Sequence, residues 1–98
     1  MIARLVLSDD ADADLADILD YSISTFGAAI ADDYLLSFEG AFDLLRRHPL
    51  AGAMRHDIAP PIHCLPHRSH RIFYDIEGEE IVVQRVLHHA MDAQRHLR

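Results

Sequence analysis

The chain contains no lysine, a single cysteine and no long apolar run. All of its fixed positive charge therefore rests on arginine. A lone cysteine, Cys64, excludes an internal disulfide and points to a reducing, cytoplasmic setting. No stretch approaches the roughly 20 apolar residues of a membrane span. The longest uncharged run near the start, "YSISTFGAAIA", is broken by polar residues and Gly27. The opening "MIARLVLSDD" lacks the apolar length of a secretion signal. A cytoplasmic protein with no membrane partner is expected. Half of the 98 residues are hydrophobic. That predicts one domain, 1–98, with a modest core that needs no covalent staples.

The net charge of −7 is unevenly spread. Residues 1–45 hold ten acids against Arg4 alone. Residues 46–98 hold eight arginines, six acids and all eight histidines. Binding to a polyanion needs many cations on one face, so direct nucleic-acid binding is not expected. A local cationic face in the second half is not excluded.

"IARLVLS" (2–8) is aliphatic and β-branched and predicts a first strand. Ser8 precedes Asp9 and Asp10, an N-cap followed by acids that favour a helix N-terminus. Ala11, Leu15, Ile18 and Ser22 then recur at helical spacing, with Leu19 and Ile23 widening the stripe. Asp12, Asp14, Asp17 and Asp20 fall mainly outside it and read as solvated surface. Gly27 closes this helix. A second helix is predicted from about Ala28 to Arg47, with Ile30, Tyr34, Leu35, Phe38, Ala41, Phe42 and Leu45 on its apolar face. Arg46, Arg47 and His48 suit its C-terminal end, and Pro49 stops it. Helices joined this tightly form an antiparallel hairpin. "PLAGAM" is a turn. "PPIHCL", "RIFYDI" and "EIVVQRVLH" follow as extended segments, the last two flanking the turn "EGEE". The predicted order is β-α-α-β-β-β. This is an α+β fold with a helical hairpin packed on one face of a mainly antiparallel sheet.

The stretch "HCLPHRSHR" holds His63, Cys64, His67 and His70. Zinc accepts such ligands, but the spacing is not that of a common finger. In a strand His63 and Cys64 also point to opposite faces. Strand and turn histidines around a core cysteine are the simpler reading, and no metal site is expected.

"DADLADILDY", "HPLAGAMRHDI" and "HRIFYDIEGEEIVVQRVLHHAMDAQRHL" resemble the ParE branch of the RelE/ParE toxin superfamily over nearly the whole chain. "HRIFY" and "RVLHHAMD" are the most specific pieces. The resemblance implies the toxin of a type II toxin–antitoxin pair, silenced by a ParD-like antitoxin and inhibiting DNA gyrase by binding. It implies no metal and no cofactor. RelE-type relatives instead cut messenger RNA in the ribosome. A relative that only binds an antitoxin is a further alternative.

Arg71 and Arg85 are charges inside apolar strands, which marks a sheet face not covered by helices. They meet a partner, or they form ion pairs with Asp75, Glu77 or the C-terminal helix. An even hairpin with Ile76 opposite Ile81 would put them on opposite faces. An odd register with Phe73 opposite Arg85 would put them together. Arg55, in "RHD", contacts a partner or pairs with Asp57. In "RVLHHAMDAQRHL", His88 and Met91 belong to the expected recognition surface. Met91 and Leu97 are expected to pack on the sheet, with Asp92 capping a short last helix. On the ribonuclease alternative, Arg71, Arg85, His88 and His89 would supply the cations and acid. The missing lysines and the pI of about 5.4 fit ribosomal RNA poorly.

Overall fold

The computed structural model describes residues 3–97. Strand β1 (Arg4–Leu7) leads into helix α1 (Asp9–Phe26) and helix α2 (Ala28–Arg47). Strands β2 (Ala53–Arg55), β3 (Ile62–His67), β4 (His70–Glu77) and β5 (Glu80–His88) follow, then a one-turn helix α3 (Ala93–His96). The fold is α+β, as predicted, with one more strand than the sequence indicated. That strand, β2, takes Ala53 and Met54 out of the expected turn. It is three residues long, too short for its alternation to be read. Ile2, included in the predicted first strand, lies outside the described residues.

The sheet order is β1-β5-β4-β3-β2. Among the described residues β1 alone pairs in parallel, with β5; the other pairs are antiparallel. A parallel partner requires a crossover; the helical hairpin carries the chain from β1 across the sheet to β2, from which β3 and β4 lead back to β5. Ser8 ends β1 and starts α1. Its hydroxyl accepts from the Ala11 N–H at 3.0 Å and donates to the Gln84 carbonyl at 2.7 Å. The cap thus ties the helix start to β5. Gly27, at φ +90°, is at once the end of α1 and the start of α2. Side chains rarely adopt that conformation, so glycine permits the reversal without a loop.

Two apolar layers share the sheet. Phe38, Phe42, Leu45, Ile72, Tyr74, Ile81, Val83 and Val86 form the core between hairpin and sheet. Burial of each large side chain there is worth about 1.5–3 kcal/mol. On the other face Ile58, Ile62, Cys64, Phe73, Leu87, Ala93 and Leu97 form a second cluster. Leu97 is buried there as expected, but Met91 is 39% exposed. It sits in the tight turn before α3, where its N–H bonds the His88 carbonyl at 2.9 Å. That turn leaves its side chain off the sheet.

Both predicted hairpin registers occur. Ile76 faces Ile81, the even register, and Phe73 faces Arg85, the odd one. The pairing slips between Phe73 and Tyr74, where Gln84 is the extra residue of a β-bulge. Val83 and Val86 therefore both face the helices, and Arg71 and Arg85 start from the opposite face.

Tyr74 anchors the turn after α2. Its hydroxyl donates to the Pro49 carbonyl at 2.6 Å and accepts the Gly52 N–H at 2.9 Å. Gly52 is pressed so close that an added Cβ would lie 2.8 Å from the Cys64 carbonyl oxygen. No helix among the described residues is long and apolar enough to cross a membrane.

Candidate partner-binding site

The hairpin overhangs the sheet at its closed end. Ile23 and Ile30, read as core from their spacing, are 42% and 57% exposed. Among the described residues no strand covers the last turn of α1 or the first of α2, which stay open to water. Tyr21 and Phe26 are exposed there as well, at 66% and 57%. With Ile18 and Tyr34 they line an open groove of about 470 Å³, closed at one end by Ser69, His70 and His88. Contiguous exposed apolar surface of this kind marks an interaction site. Asp17 is the charged residue on its rim.

The histidine end of the groove is tightly built. The Tyr34 hydroxyl and His70 Nδ1 are 2.6 Å apart. Ser37 Oγ and His67 Nε2 are 2.7 Å apart. The ring of His70 meets that of His88 edge-on at 5.4 Å, and His88 stacks on His89 at 4.4 Å. Burial, then the neighbouring imidazoles His88, His67 and His89, push His70 down to about 4. Burial and Arg68 lower His67 as well. Both shifts favour the uncharged form, so His70 and His67 offer the groove aromatic surface rather than charge. His63 stacks instead on Tyr74, at 5.1 Å, while Cys64 faces the other layer. Among the described residues no three His, Cys, Asp or Glu side chains are grouped to hold a metal ion.

The arginines lie on the sheet face away from the hairpin. Arg85 reaches the free edge of β5, where β1 has already ended. Its Nε and Nη2 donate to the two carboxylate oxygens of Asp14 at 2.7 and 2.8 Å. Its Nη1 donates to the His96 carbonyl at 2.9 Å. Asp14 also accepts the Val86 N–H at 2.9 Å, replacing the strand partner that β1 no longer supplies. Arg55 forks onto Asp57 at 2.7 and 2.6 Å, and that bond pulls the Asp57 carboxyl down to about 2. Arg71 stands opposite Pro66 and Leu87. Among the described residues its guanidinium makes no hydrogen bond or ion pair, although its charge is felt at Asp57 and Cys64.

The residues considered for RNA cleavage do not converge. Arg71 pairs with Leu87, on the second layer's face, whereas His88 pairs with His70, on the hairpin's face. Arg85 is engaged by Asp14. The partner-binding candidates also divide, Arg55 and Arg71 on one face and His88 on the other, with Met91 exposed beyond the end of β5. Sequence reasoning missed Tyr21, Phe26 and Asp14. Asp14 lies three residues from buried Ala11 and beside Leu15, at the border of the α1 stripe. That position, more than its charge, was the available signal.

Residues 5–93 match the family described as the ParE toxin of the type II toxin–antitoxin system parDE. "Toxin ParE1" of Mycobacterium tuberculosis is 36% identical over 99% of this chain and 100% of its own length. "Toxin ParE1" of Caulobacter vibrioides is 33% identical over 93% of this chain and 94% of its own length. A solved chain from a chromosomal ParDE system of Pseudomonas aeruginosa superposes with a TM-score of 0.78. It shares 21% identity, with 89% of this chain and 96% of that one covered, and so speaks for the fold. Full-length sequence similarity and the β-α-α-β-β-β-β-α order agree, and the chain belongs to the ParE toxins of type II toxin–antitoxin systems.

Proposed function

We propose that this ParE-family toxin acts by binding, inhibits DNA gyrase and is silenced by a ParD-like antitoxin. The observation that carries a binding mode is the dispersal of the chemically capable side chains. Arg85 is held by Asp14, and Arg71 and His88 stand on opposite faces of the sheet. General acid–base cleavage needs such groups within hydrogen-bond reach of one substrate. The groove at Tyr21, Phe26 and Ile30 supports the antitoxin part of the reading. An amphipathic segment laid along it would cover apolar side chains now open to water. The net charge of −7 favours contact with a protein target over contact with its DNA.

Supercoiling of relaxed plasmid by purified gyrase tests the proposal. Antitoxin-free toxin is expected to inhibit it, and an excess of the ParD-like antitoxin to restore it. Arg71→Ala is expected to weaken inhibition at least about tenfold, as loss of one charged contact does, with its unfolding curve unchanged. Unchanged supercoiling at micromolar toxin would overturn the gyrase assignment. Codon-specific breaks in messenger RNA during growth arrest would replace it with ribosomal cleavage.

A further inference from the structure

The outer face of α2 is unaccounted for by the fold. Leu36 is 67% exposed and Leu44 is 42% exposed. Gly40 lies between them in mid-helix, also exposed. Glycine in a helix interior is about 1 kcal/mol worse than alanine. Nothing lies within 4 Å of a Cβ built at Gly40, so packing within the chain does not require it. Its flanks follow a pattern. Leu36 and Leu44 are four residues before and after Gly40. Asp33 and Arg47 are seven before and after, both exposed, and their side chains make no hydrogen bond or ion pair among the described residues. At 3.6 residues per turn all five fall on one stripe. The stripe lies opposite Phe38, Phe42 and Leu45, which face the sheet.

Apolar side chains are thus placed symmetrically about the glycine, and the charges antisymmetrically. A two-fold axis through Gly40 sets each Leu36 against the other copy's Leu44, and each Asp33 against its Arg47. Both opposed pairs are complementary. The rise of 1.5 Å per residue puts the leucines about 6 Å and the charges about 10 Å from the axis. The missing Cβ at the centre lets the helices approach to or below the usual spacing of about 8–10 Å. Such a patch, alike on both partners and complementary to itself, is what an isologous dimer uses. On the flanks, Asp43 is tied to Arg46 of its own helix at 2.7 Å, and Glu39 points off the stripe.

We infer that the chain self-associates through α2, antiparallel and two-fold symmetric, with Gly40 at the crossing point. The patch is one helix wide, below the roughly 1,200 Å² of stable interfaces, so the dimer is concentration-dependent. It leaves the Tyr21–Phe26 groove and Arg71 free, and it does not depend on what the toxin's target is.

Sedimentation velocity of the full chain is the first measurement, at about 0.15 M salt, where the net charge of −7 is screened beyond about 8 Å. Sedimentation is expected to rise between monomer and dimer as concentration increases from micromolar to hundreds of micromolar. A monomer throughout would overturn the inference. Asp33→Arg and Arg47→Asp are each expected to weaken association about tenfold, because like charges then face each other twice, and the double swap to restore it. Swaps without rescue would refute the antiparallel register. Gly40→Cys, with Cys64→Ser in the background, puts one thiol on the axis and is expected to give a disulfide-linked dimer on mild oxidation. Circular dichroism checks that each variant folds. No cross-link at concentrations where the parent associates would also overturn the inference. So would a Gly40→Cys thiol shielded from alkylation only when antitoxin is added, which would give the stripe to the antitoxin.

Discussion

Asp14 and Arg85 lie 71 residues apart and are joined by two hydrogen bonds of 2.7 and 2.8 Å. Their side chains are 13% and 21% exposed. The pair closes the edge of β5, holds α1 against it and, through the His96 carbonyl, fixes α3. Removing either partner leaves a largely desolvated charge unpaired. Asp14→Ala and Arg85→Ala are each expected to cost about 2–4 kcal/mol. The double variant should lose clearly less than the sum. Urea midpoints in a double-mutant cycle measure this, and simple additivity would show that the two residues act separately.

A second expectation concerns the turn after α2. Tyr74→Phe removes the partner of the Gly52 N–H and the donor to Pro49, at a cost of about 1–3 kcal/mol. Gly52→Ala drives a methyl into a backbone oxygen that does not yield, and about 1–3 kcal/mol is expected there too. Thermal unfolding of the two variants reads both. An unchanged midpoint for Gly52→Ala would mean that the turn gives way freely.

Stability should fall in mild acid because of His70. Its folded value of about 4 is below the 6.5 of a free imidazole, so the unfolded chain binds the extra proton first. The unfolded state then holds more protons between about pH 6.5 and 4, and stability declines as pH falls through that window. His67 shifts in the same direction. His70→Phe should flatten the slope. Imidazole proton shifts followed by NMR give the folded value directly, and a value for His70 near 6.5 would refute the account.

Much of the architecture was legible because it is periodic. Ser8, Gly27 and Pro49 punctuate two helices whose buried faces repeat at 3.6 residues, and "RIFYDI" and "EIVVQRVL" alternate cleanly up to the bulge. What was hidden depends on where elements end in space. Ile30 obeys the helical stripe yet is exposed, because the sheet stops short of it. Asp14 resembles its acidic neighbours, and only the early end of β1 turns it into the partner of Arg85. The bulge at Gln84 has no signature of its own. The hydrophobic pattern of β5 is satisfied on one side of it by Ile81 and Val83, and on the other by Val86.

The groove yields the last prediction. Phe26→Ser and Ile30→Ser replace exposed side chains, so stability should stay within about 0.5 kcal/mol. Each should nonetheless weaken binding of a ParD-like antitoxin about tenfold or more, as expected where a large apolar anchor is lost. Isothermal titration with the antitoxin decides it. Wild-type affinity in the double variant would move the antitoxin to another face.

The extra residue in β5 also makes the hairpin a sorting device. Before it, odd-numbered residues of the strand look toward the helices; after it, even-numbered ones do. If Gln84 took its place in the ladder instead of bulging, the even register of Ile76 and Ile81 would run on and pair Arg71 with Val86. The Arg85 guanidinium would then face the apolar layer under the hairpin, and Val86 the opposite face. One uncharged residue set out of step thus keeps the arginine out of the helix-facing core and the valine in it.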